Sequence, residues 1–517
     1  MTRGNVLYIT VDQWRGDCLS ALGHPVVETP TLDALASTGV LFANHWANVA
    51  PCGPSRATLH TGMYAQNHRS VLNGTPLDAR FTNIALEARG GGWDPVLFGY
   101  TDTSVDPRTV LDGDPRLCNY EGILPGFDPI VNDPEEVGDS REWGRWLAAR
   151  GVDVPANPRD LYLPQRDHPG ADAHGDSWAP TRFAAEHTET AFVMEGLLDW
   201  LDRNADRDPW FVHASFIRPH PPYRNPVGFH DRYAADDVPD FRGHPTLQGE
   251  QDAHLLARFA TMIPGVGCPT DPRDRRQTRA TYYGMMAEVD QQLARLFAWL
   301  DASGQADDTL VLLTSDHGDQ MGDHWLVEKL GYWDESYHVP LIVRDPRPAA
   351  AATRGTVVRS VTEHVDVMPT LLDWMGLEVP LQCDGRELTP FLHDGSAPDD
   401  WRTEAHWEWD FRHPQLHVAE DLLGIPMEHC SLNVVRGERW KYVHFGADAT
   451  VLPPLLFDLA NDPDQVTDLA TDPGHDGVRA DCASALLSWR MRHDERTLTG
   501  HFLSPTEGLV VRRDPRR

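Results

Sequence analysis

Two dipeptides, each directly behind an apolar run, have side chains that could do chemistry. Asp12-Gln13 follows Val6–Val11 (VLYITV), and Asp316-His317 follows Thr309–Thr314 (TLVLLT). Together they offer two carboxylates, an amide oxygen and an imidazole, a donor set for one divalent cation. Carboxylate and amide oxygens suit Ca²⁺ or Mg²⁺, while an imidazole tilts the choice toward Mn²⁺. Taken singly, each has a plainer use, since Asp after a strand often caps a helix and a histidine can fill a core. A third stretch, Cys52-Gly53-Pro54-Ser55-Arg56-Ala57-Thr58-Leu59-His60-Thr61-Gly62, sets a thiol four residues before an arginine. No second cysteine lies near Cys52 in sequence, which disfavours a redox role. His220, in Arg218-Pro219-His220-Pro221-Pro222, and Lys329 are an imidazole and a cation suited to stabilising charge that develops in a transition state. Their plain alternatives are a rigid loop and a solvated helix-face charge.

These residues need elements that bring them together. VLYITV and TLVLLT are continuous, β-rich apolar runs, as expected for strands buried on both faces of a parallel sheet. Weaker runs of the same kind are Val96–Gly99 before Tyr100 and Trp210–Ser215 before Arg218. Ligands in open α/β sheets gather beyond the carboxyl ends of strands, which is where all these side chains fall. Helical patterns lie between the strands at Leu32–Thr38, Ala191–Leu201 and Arg279–Leu300, the last stopped by Ser303-Gly304. The alternation predicts an α/β fold, a layered α/β/α sandwich with a large, mostly parallel sheet. Residues from about Pro125 to Pro180 are rich in Pro, Asp and Gly with weak periodicity and read as surface excursions. After Val365–Gly376 the character changes: Cys430–Val435 and Trp440–Phe445 read as a hairpin across Arg436–Arg439, with Leu455–Leu459 a possible next strand. The division expected is a catalytic domain over 1–375 and a smaller C-terminal α+β domain with an antiparallel sheet over 376–517.

Composition excludes several classes. With 41% hydrophobic and 24% charged residues over 517 positions, neither disorder nor a fibre fits. A net charge of −33 opposes binding to nucleic acid or an anionic membrane, and its plainest cause is a surface charged for solubility. Met1–Val11 lacks the apolar stretch of a secretory signal, and no window approaches the ~18 apolar residues of a membrane span. The seven cysteines are scattered with no CxxC pair, so a cytoplasmic location is expected, with six of them packing residues. Arg512-Arg513 and Arg516-Arg517 put a basic end on an acidic chain, either a subunit contact or an ordinary tail.

Cys52-x-Pro54-Ser55-Arg56 followed by Thr61-Gly62 resembles the signature of the type I sulfatases, formylglycine-dependent members of the alkaline phosphatase superfamily. The likeness runs through most of the chain and is nearest to bacterial phosphonate monoester hydrolases and their arylsulfatase relatives. It includes VDQWR, Asn67-His68-Arg69 to Asn73, Gly99-Tyr100-Thr101, RPHPP, TSDHGDQMGDH to Lys329, and LSWR with RTLT near the end.

The resemblance implies that Cys52 is oxidised to an aldehyde by a formylglycine-generating enzyme. The hydrated aldehyde attacks sulfur or phosphorus with one hydroxyl; the other then loses its proton and expels the oxyanion by C–O cleavage. It further implies metal ligation by Asp12, Gln13, Cys52, Asp316 and His317. Arg56 would hold the modified residue and neutralise the oxyanion, and His220 would protonate the leaving oxygen or bind a substrate oxygen. Lys329 would hold a non-bridging oxygen, with further hydrogen bonds from Asn73 and Tyr100. A homo-oligomer, dimer or tetramer, is also implied.

Two departures bear on substrate. The Gly-Lys-x-His segment of other sulfatases is replaced after Gly99 by Tyr100-Thr101-Asp102, which puts more weight on His220. Asp102 stands where the phosphonate hydrolases are expected to carry a hydroxyl residue, and its carboxylate favours the lower charge per oxygen of a sulfate ester. Sulfate monoesters of phenols are therefore the expected substrates, with phosphonate monoesters and phosphodiesters as the alternative. A third possibility is an inactive binding protein in which Cys52 stays a thiol.

Overall fold

The computed structural model describes residues 4–132, 141–206, 209–413 and 417–512. Two main sheets are built from β1 (Asn5–Val11), β2 (Val40–Trp46), β3 (Val49–Ala50), β4 (Pro95–Gly99), β5 (Asp128–Asn132), β6 (Phe211–Phe216), β7 (Thr309–Ser315), β8 (His338–Arg344), β9 (Thr356–Val358), β10 (Thr362–Glu363), β11 (Ala405–Asp410), β12 (Ser431–Arg436), β13 (Trp440–Phe445) and β14 (Leu455–Asp458). The nine-stranded sheet runs β10-β2-β8-β7-β1-β6-β4-β5, with β9 beside β2. Strands β7, β1, β6, β4 and β5 are mutually parallel, whereas β8 runs against both its neighbours. All seven residues of β1 are buried. Successive side chains point to opposite faces, so Leu7, Ile9 and Val11 enter one apolar layer and Val6 and Tyr8 the other. The first layer is covered by helices Pro30–Thr38, Glu189–Asn204 and Pro272–Ala302, the second by Cys52–Thr61, Ile84–Gly90 and Val367–Met375. This is the expected sandwich.

The smaller sheet runs β14-β13-β12-β11-β3. Its four later strands are antiparallel, and the 431–445 hairpin forms as expected. Its fifth strand is the two-residue β3, drawn from the amino-terminal part of the chain and parallel to β11. Two expectations need correction. The 125–180 stretch is more than surface: it supplies β5 and helix Arg141–Ala149, whose Trp143 and Leu147 are fully buried beside Tyr162 and Phe183. Nor do six cysteines pack, since Cys118 is exposed and Cys482 half-buried. Among the described residues no helix is long and apolar enough to cross a membrane. Of the basic end, Arg513, Arg516 and Arg517 lie outside the described residues.

Candidate active site

Adjacent parallel strands deliver the predicted residues to one edge of the sheet. Val11 of β1 is level with Ser315 of β7 and Phe216 of β6, so Asp12 and Asp316 leave their strands side by side. Tyr100 follows β4, and His220 lies four residues beyond β6. Cys52 opens the buried helix Cys52–Thr61, which ends in a left-handed Gly62. A Cβ at Gly62 would stand 2.9 Å from Cys383 Sγ, which accounts for the glycine of the motif. The ligating atoms of Asp12, Cys52, Asp316 and His317 all lie within 4.8 Å of one another, and all four residues are buried.

Arg56 locks this cluster. Its Nε donates to Asp316 Oδ2 at 2.9 Å and one terminal nitrogen to Asp12 Oδ2 at 3.1 Å; the other reaches Ser215 Oγ at 2.7 Å and the Tyr100 carbonyl at 3.2 Å. Four of its five N–H donors thus go to the carboxylates and their frame. Burial alone would raise the Asp12 carboxyl pKa, but His220, His317, Arg56 and Lys329 together hold it well below the usual range. Burial, and then Asp12, push the Cys52 thiol far up, so the unmodified residue is a protonated thiol and a poor nucleophile. His317 Nδ1 lies 3.0 Å from the Gly318 carbonyl, which can only accept, so the proton sits there. Its Nε2 therefore faces Cys52 Sγ at 3.1 Å, and burial lowers the pKa of the ring. Ser55 Oγ donates to the Asp316 carbonyl at 2.5 Å and pins the helix to the β7 loop.

Gln13 has a left-handed backbone (φ 69°), an uncommon state for a residue with a Cβ and one that tends to mark functional positions. Its side chain is orientated by Asp319, which lies within the TSDHGDQMGDH stretch and had no role foreseen from sequence. Asp319 Oδ2 accepts from Gln13 Nε2 at 2.6 Å and from the Tyr223 hydroxyl at 2.7 Å, and its Oδ1 accepts from the backbone of Met321 and Glu328. Burial and the neighbouring Glu328 raise its pKa to about 6. Because the amide nitrogen is committed to Asp319, Gln13 Oε1 points the other way, to Lys329 Nζ at 2.8 Å. Lys329 Nζ also lies 2.9 Å from His220 Nε2, and His220 Nδ1 lies 2.9 Å from the Pro221 carbonyl. The carbonyl accepts, so the imidazole proton is on Nδ1 and Nε2 accepts a hydrogen bond from the ammonium.

The remaining predicted residues are close by but turned differently from expectation. The Tyr100 hydroxyl donates to Asp12 Oδ2, and Asn73 Oδ1 accepts from the Gly53 amide at 2.9 Å. In this structure the Tyr100 hydroxyl braces a ligand and the Asn73 side-chain carbonyl oxygen braces the start of the nucleophile helix. Asp102 is buried with φ 54°, near enough to Cys52 to add to the suppression of its thiolate. Ser215 and Tyr223 were also missed. The available signal for Ser215 and Asp319 was position, at or just past a strand's carboxyl end.

The cluster fits a divalent cation on its own evidence. Two buried carboxylates face one guanidinium, which leaves a negative balance that burial penalises unless a cation answers it. Asp12 Oδ1 is buried and, among the described residues, has no hydrogen-bond partner. Asp12, Asp316 and His317, with the Cys52 side chain and Gln13 Oε1, would hold the ion.

Comparison with known proteins gives the same picture. The sequence profile of the family described as "Sulfatase" matches residues 4–377, and that described as "N-sulphoglucosamine sulphohydrolase, C-terminal" matches residues 322–492. The "multifunctional alkaline phosphatase superfamily protein PehA" of Trinickia caryophylli is 41% identical over 530 aligned residues, covering 99% of this chain and 100% of that one. An arylsulfatase of Clostridium perfringens is 29% identical, covering 80% of this chain and 83% of that one. The phosphonate monoester hydrolase of Agrobacterium radiobacter has a structure similar at a TM-score of 0.92, with 44% identity over 99% of this chain and 100% of that one. A family profile over most of the chain and relatives aligned along its full length lead to one conclusion: this chain belongs to the sulfatase family, within the alkaline phosphatase superfamily.

Proposed function

We propose that this protein is a metal- and formylglycine-dependent hydrolase of monoanionic esters, acting on sulfate monoesters and on phosphonate monoesters or phosphodiesters with one set of residues. The observation that carries this reading is the placement of the Cys52 side chain in one buried cluster with Asp12, Asp316 and His317, their ligating atoms all within 4.8 Å of one another. When bound, the cation would supply Lewis acidity to the nucleophile and to the ester oxygens; the imidazole among the ligands favours Mn²⁺ over Ca²⁺ or Mg²⁺.

The chain's own residues divide the remaining work. Arg56 holds Asp12 and Asp316 in place before substrate arrives, which avoids reorganisation during the reaction. Lys329, pinned by Gln13 Oε1, sets a positive charge beside the cluster for a non-bridging oxygen. His220 receives a proton at Nε2 from Lys329 and passes it to the departing oxygen, so the two act as one proton-donating pair. Relatives named as phosphonate monoester hydrolases favour the phosphorus substrates; Asp102, a carboxylate near Cys52, shifts the balance toward sulfate. Free, scattered thiols fit the cytoplasm. The proposed partners are a small ester substrate, a formylglycine-generating enzyme and further copies of the chain.

Peptide mass spectrometry after co-expression with a formylglycine-generating enzyme tests the first half: a loss of about 18 Da at Cys52 is expected, and an unmodified thiol in active protein rejects the reading. A panel of aryl sulfate, aryl phosphonate monoester and aryl phosphodiester at matched leaving group tests the second. Turnover of only one class rejects the shared pocket.

A further inference from the structure

The turn that carries His220 has few means of holding itself. In Pro219-His220-Pro221-Pro222 three residues lack a backbone N–H, and the one amide present, that of His220, donates to the Ile217 carbonyl at 2.9 Å. The carbonyls of the turn therefore need a side-chain donor, and Arg218 supplies one. A terminal nitrogen of Arg218 donates to the Pro222 carbonyl at 2.9 Å and lies 3.5 Å from the His220 carbonyl. The carbonyl between these two, that of Pro221, is the one that takes the Nδ1 proton of His220. One guanidinium thus grips the chain on both sides of the imidazole's own anchor.

Arg218 is buried and held from behind. Its Cζ stands 4.5 Å from the centre of the Tyr162 ring, a cation over an aromatic face. Tyr162 closes the short turn Pro158–Tyr162; its ring packs on Trp143 and Phe183, and its hydroxyl donates to Glu189 Oε2 at 2.8 Å. Burial opposes the Arg218 charge, but Tyr162 and the Glu189 and Glu288 carboxylates raise its pKa above the usual value. Glu288, on helix Pro272–Ala302, accepts from the Thr188 and Thr190 hydroxyls at 2.7 and 2.9 Å, at the start of helix Glu189–Asn204. The support of the His220 turn therefore runs back through the 125–180 stretch to two helices that cover the sheet.

We propose that Arg218 is a positioning residue for the leaving-group acid: backed by Tyr162 and Glu189, it grips the His220 and Pro222 carbonyls and so aims His220 Nε2 at Lys329 Nζ and at the departing oxygen. The inference rests on the acid role proposed above for His220. Acting only through this turn, Arg218 has no part in the attack on sulfur or phosphorus. Its loss should therefore show where the departing oxygen needs a proton, since a misplacement of about 1 Å can cost on the order of 10²-fold in rate.

Rates of the full, active chain on five or six phenyl esters of graded leaving-group pKa test it. Arg218→Met keeps the stem and removes every donor; it should slow esters of poor leaving groups by ~10–100-fold, a part of what general acid help is worth. Nitrophenyl esters and KM should stay near the parent, so the slope steepens. Arg218→Lys restores a cation without the guanidinium fork and should recover part of the loss. In a His220→Ala background, Arg218→Met should steepen the slope no further, as residues that act as a unit do not add. Parallel lines for parent and Arg218→Met would overturn the inference, as would further steepening in the His220→Ala background. If Arg218→Met does not fold, Arg218→Lys decides: its slope should lie between those of the parent and His220→Ala, and the parent's slope would overturn the inference. A His220→Ala line parallel to the parent would remove the acid role and this inference with it, whereas a steep His220→Ala line beside a parallel Arg218→Met line would remove this inference alone.

Discussion

The site has two walls built to different standards. The inner wall, Asp12, Arg56, Asp316 and His317, stands on strand ends and one helix and is wholly inaccessible to solvent. The outer wall, His220 and Lys329, stands on the loops beyond β6 and β7; His220 is 8% exposed and the Lys329 side chain 10%. In the inner wall each charge is held by another charge through bonds spanning some 44 to 260 residues of sequence. In the outer wall the partners include a carbonyl, an amide, the Glu328 carboxylate and each other. The difference separates two tasks: the first wall stores charge in place, and the second moves a proton. Damage to the first should cost structure, metal and rate together, whereas damage to the second should cost rate in a substrate-dependent way.

The largest expected effect comes from the residue between the walls. With Cys52→Ser left as an alcohol, the residue has no second hydroxyl on the same carbon with which to release a covalent ester. Steady turnover should fall by at least about 10³-fold, the scale on which loss of a nucleophile is read, with a single-turnover burst permitted. Multiple turnover near the parent rate would reject the mechanism. Next, Asp12→Ala or Asp316→Ala should lose bound metal by elemental analysis along with most activity. Either should also lower the melting temperature, because Arg56 would keep a buried charge with one of its two carboxylate partners gone, a loss on the order of 3–5 kcal/mol. A variant with full metal and parent stability would show that the inner wall is not the lock described.

The outer wall should respond by slope. His220→Ala should slow esters of poor leaving groups by roughly 10²–10⁴-fold and nitrophenyl esters far less, steepening the dependence of rate on leaving-group pKa. Parallel lines for parent and variant across five or six graded phenyl esters would transfer the acid role to Lys329 alone. The smallest effect tests the joint between the walls. Asp319→Asn frees the Gln13 amide to turn its nitrogen inward, and metal affinity measured by titration of the stripped protein should weaken by about 10–100-fold, as for other groups that orientate ligands. Unchanged affinity would leave Asp319 a structural residue only.

The inner wall was legible because buried parallel strands are continuous apolar runs, and Asp12 and Asp316 come directly after two of them. Its wiring was not. That Arg56 bridges two carboxylates, and that Asp319 fixes an amide, depends on contacts no local pattern records. Helix Arg141–Ala149 was hidden by its short length among Pro and Gly, although Trp143 is fully buried. β3 could not be read at all: two residues carry no periodicity, and it exists only because β11 lies beside it.

That pairing also sets a schedule. Val49 and Ala50 stand just ahead of Cys52, and the strand that holds them, with Val49 level with Glu408, is made more than 350 residues later. At 5–20 residues per second, the ribosome takes roughly 20–70 s to cover that span. Until then nothing from β11 fastens the start of the nucleophile helix, and afterwards Cys52 is 3% exposed. Any agent that must reach its sulfur works against that clock, so slowing or hastening synthesis of the second half should change how much of the first half is competent.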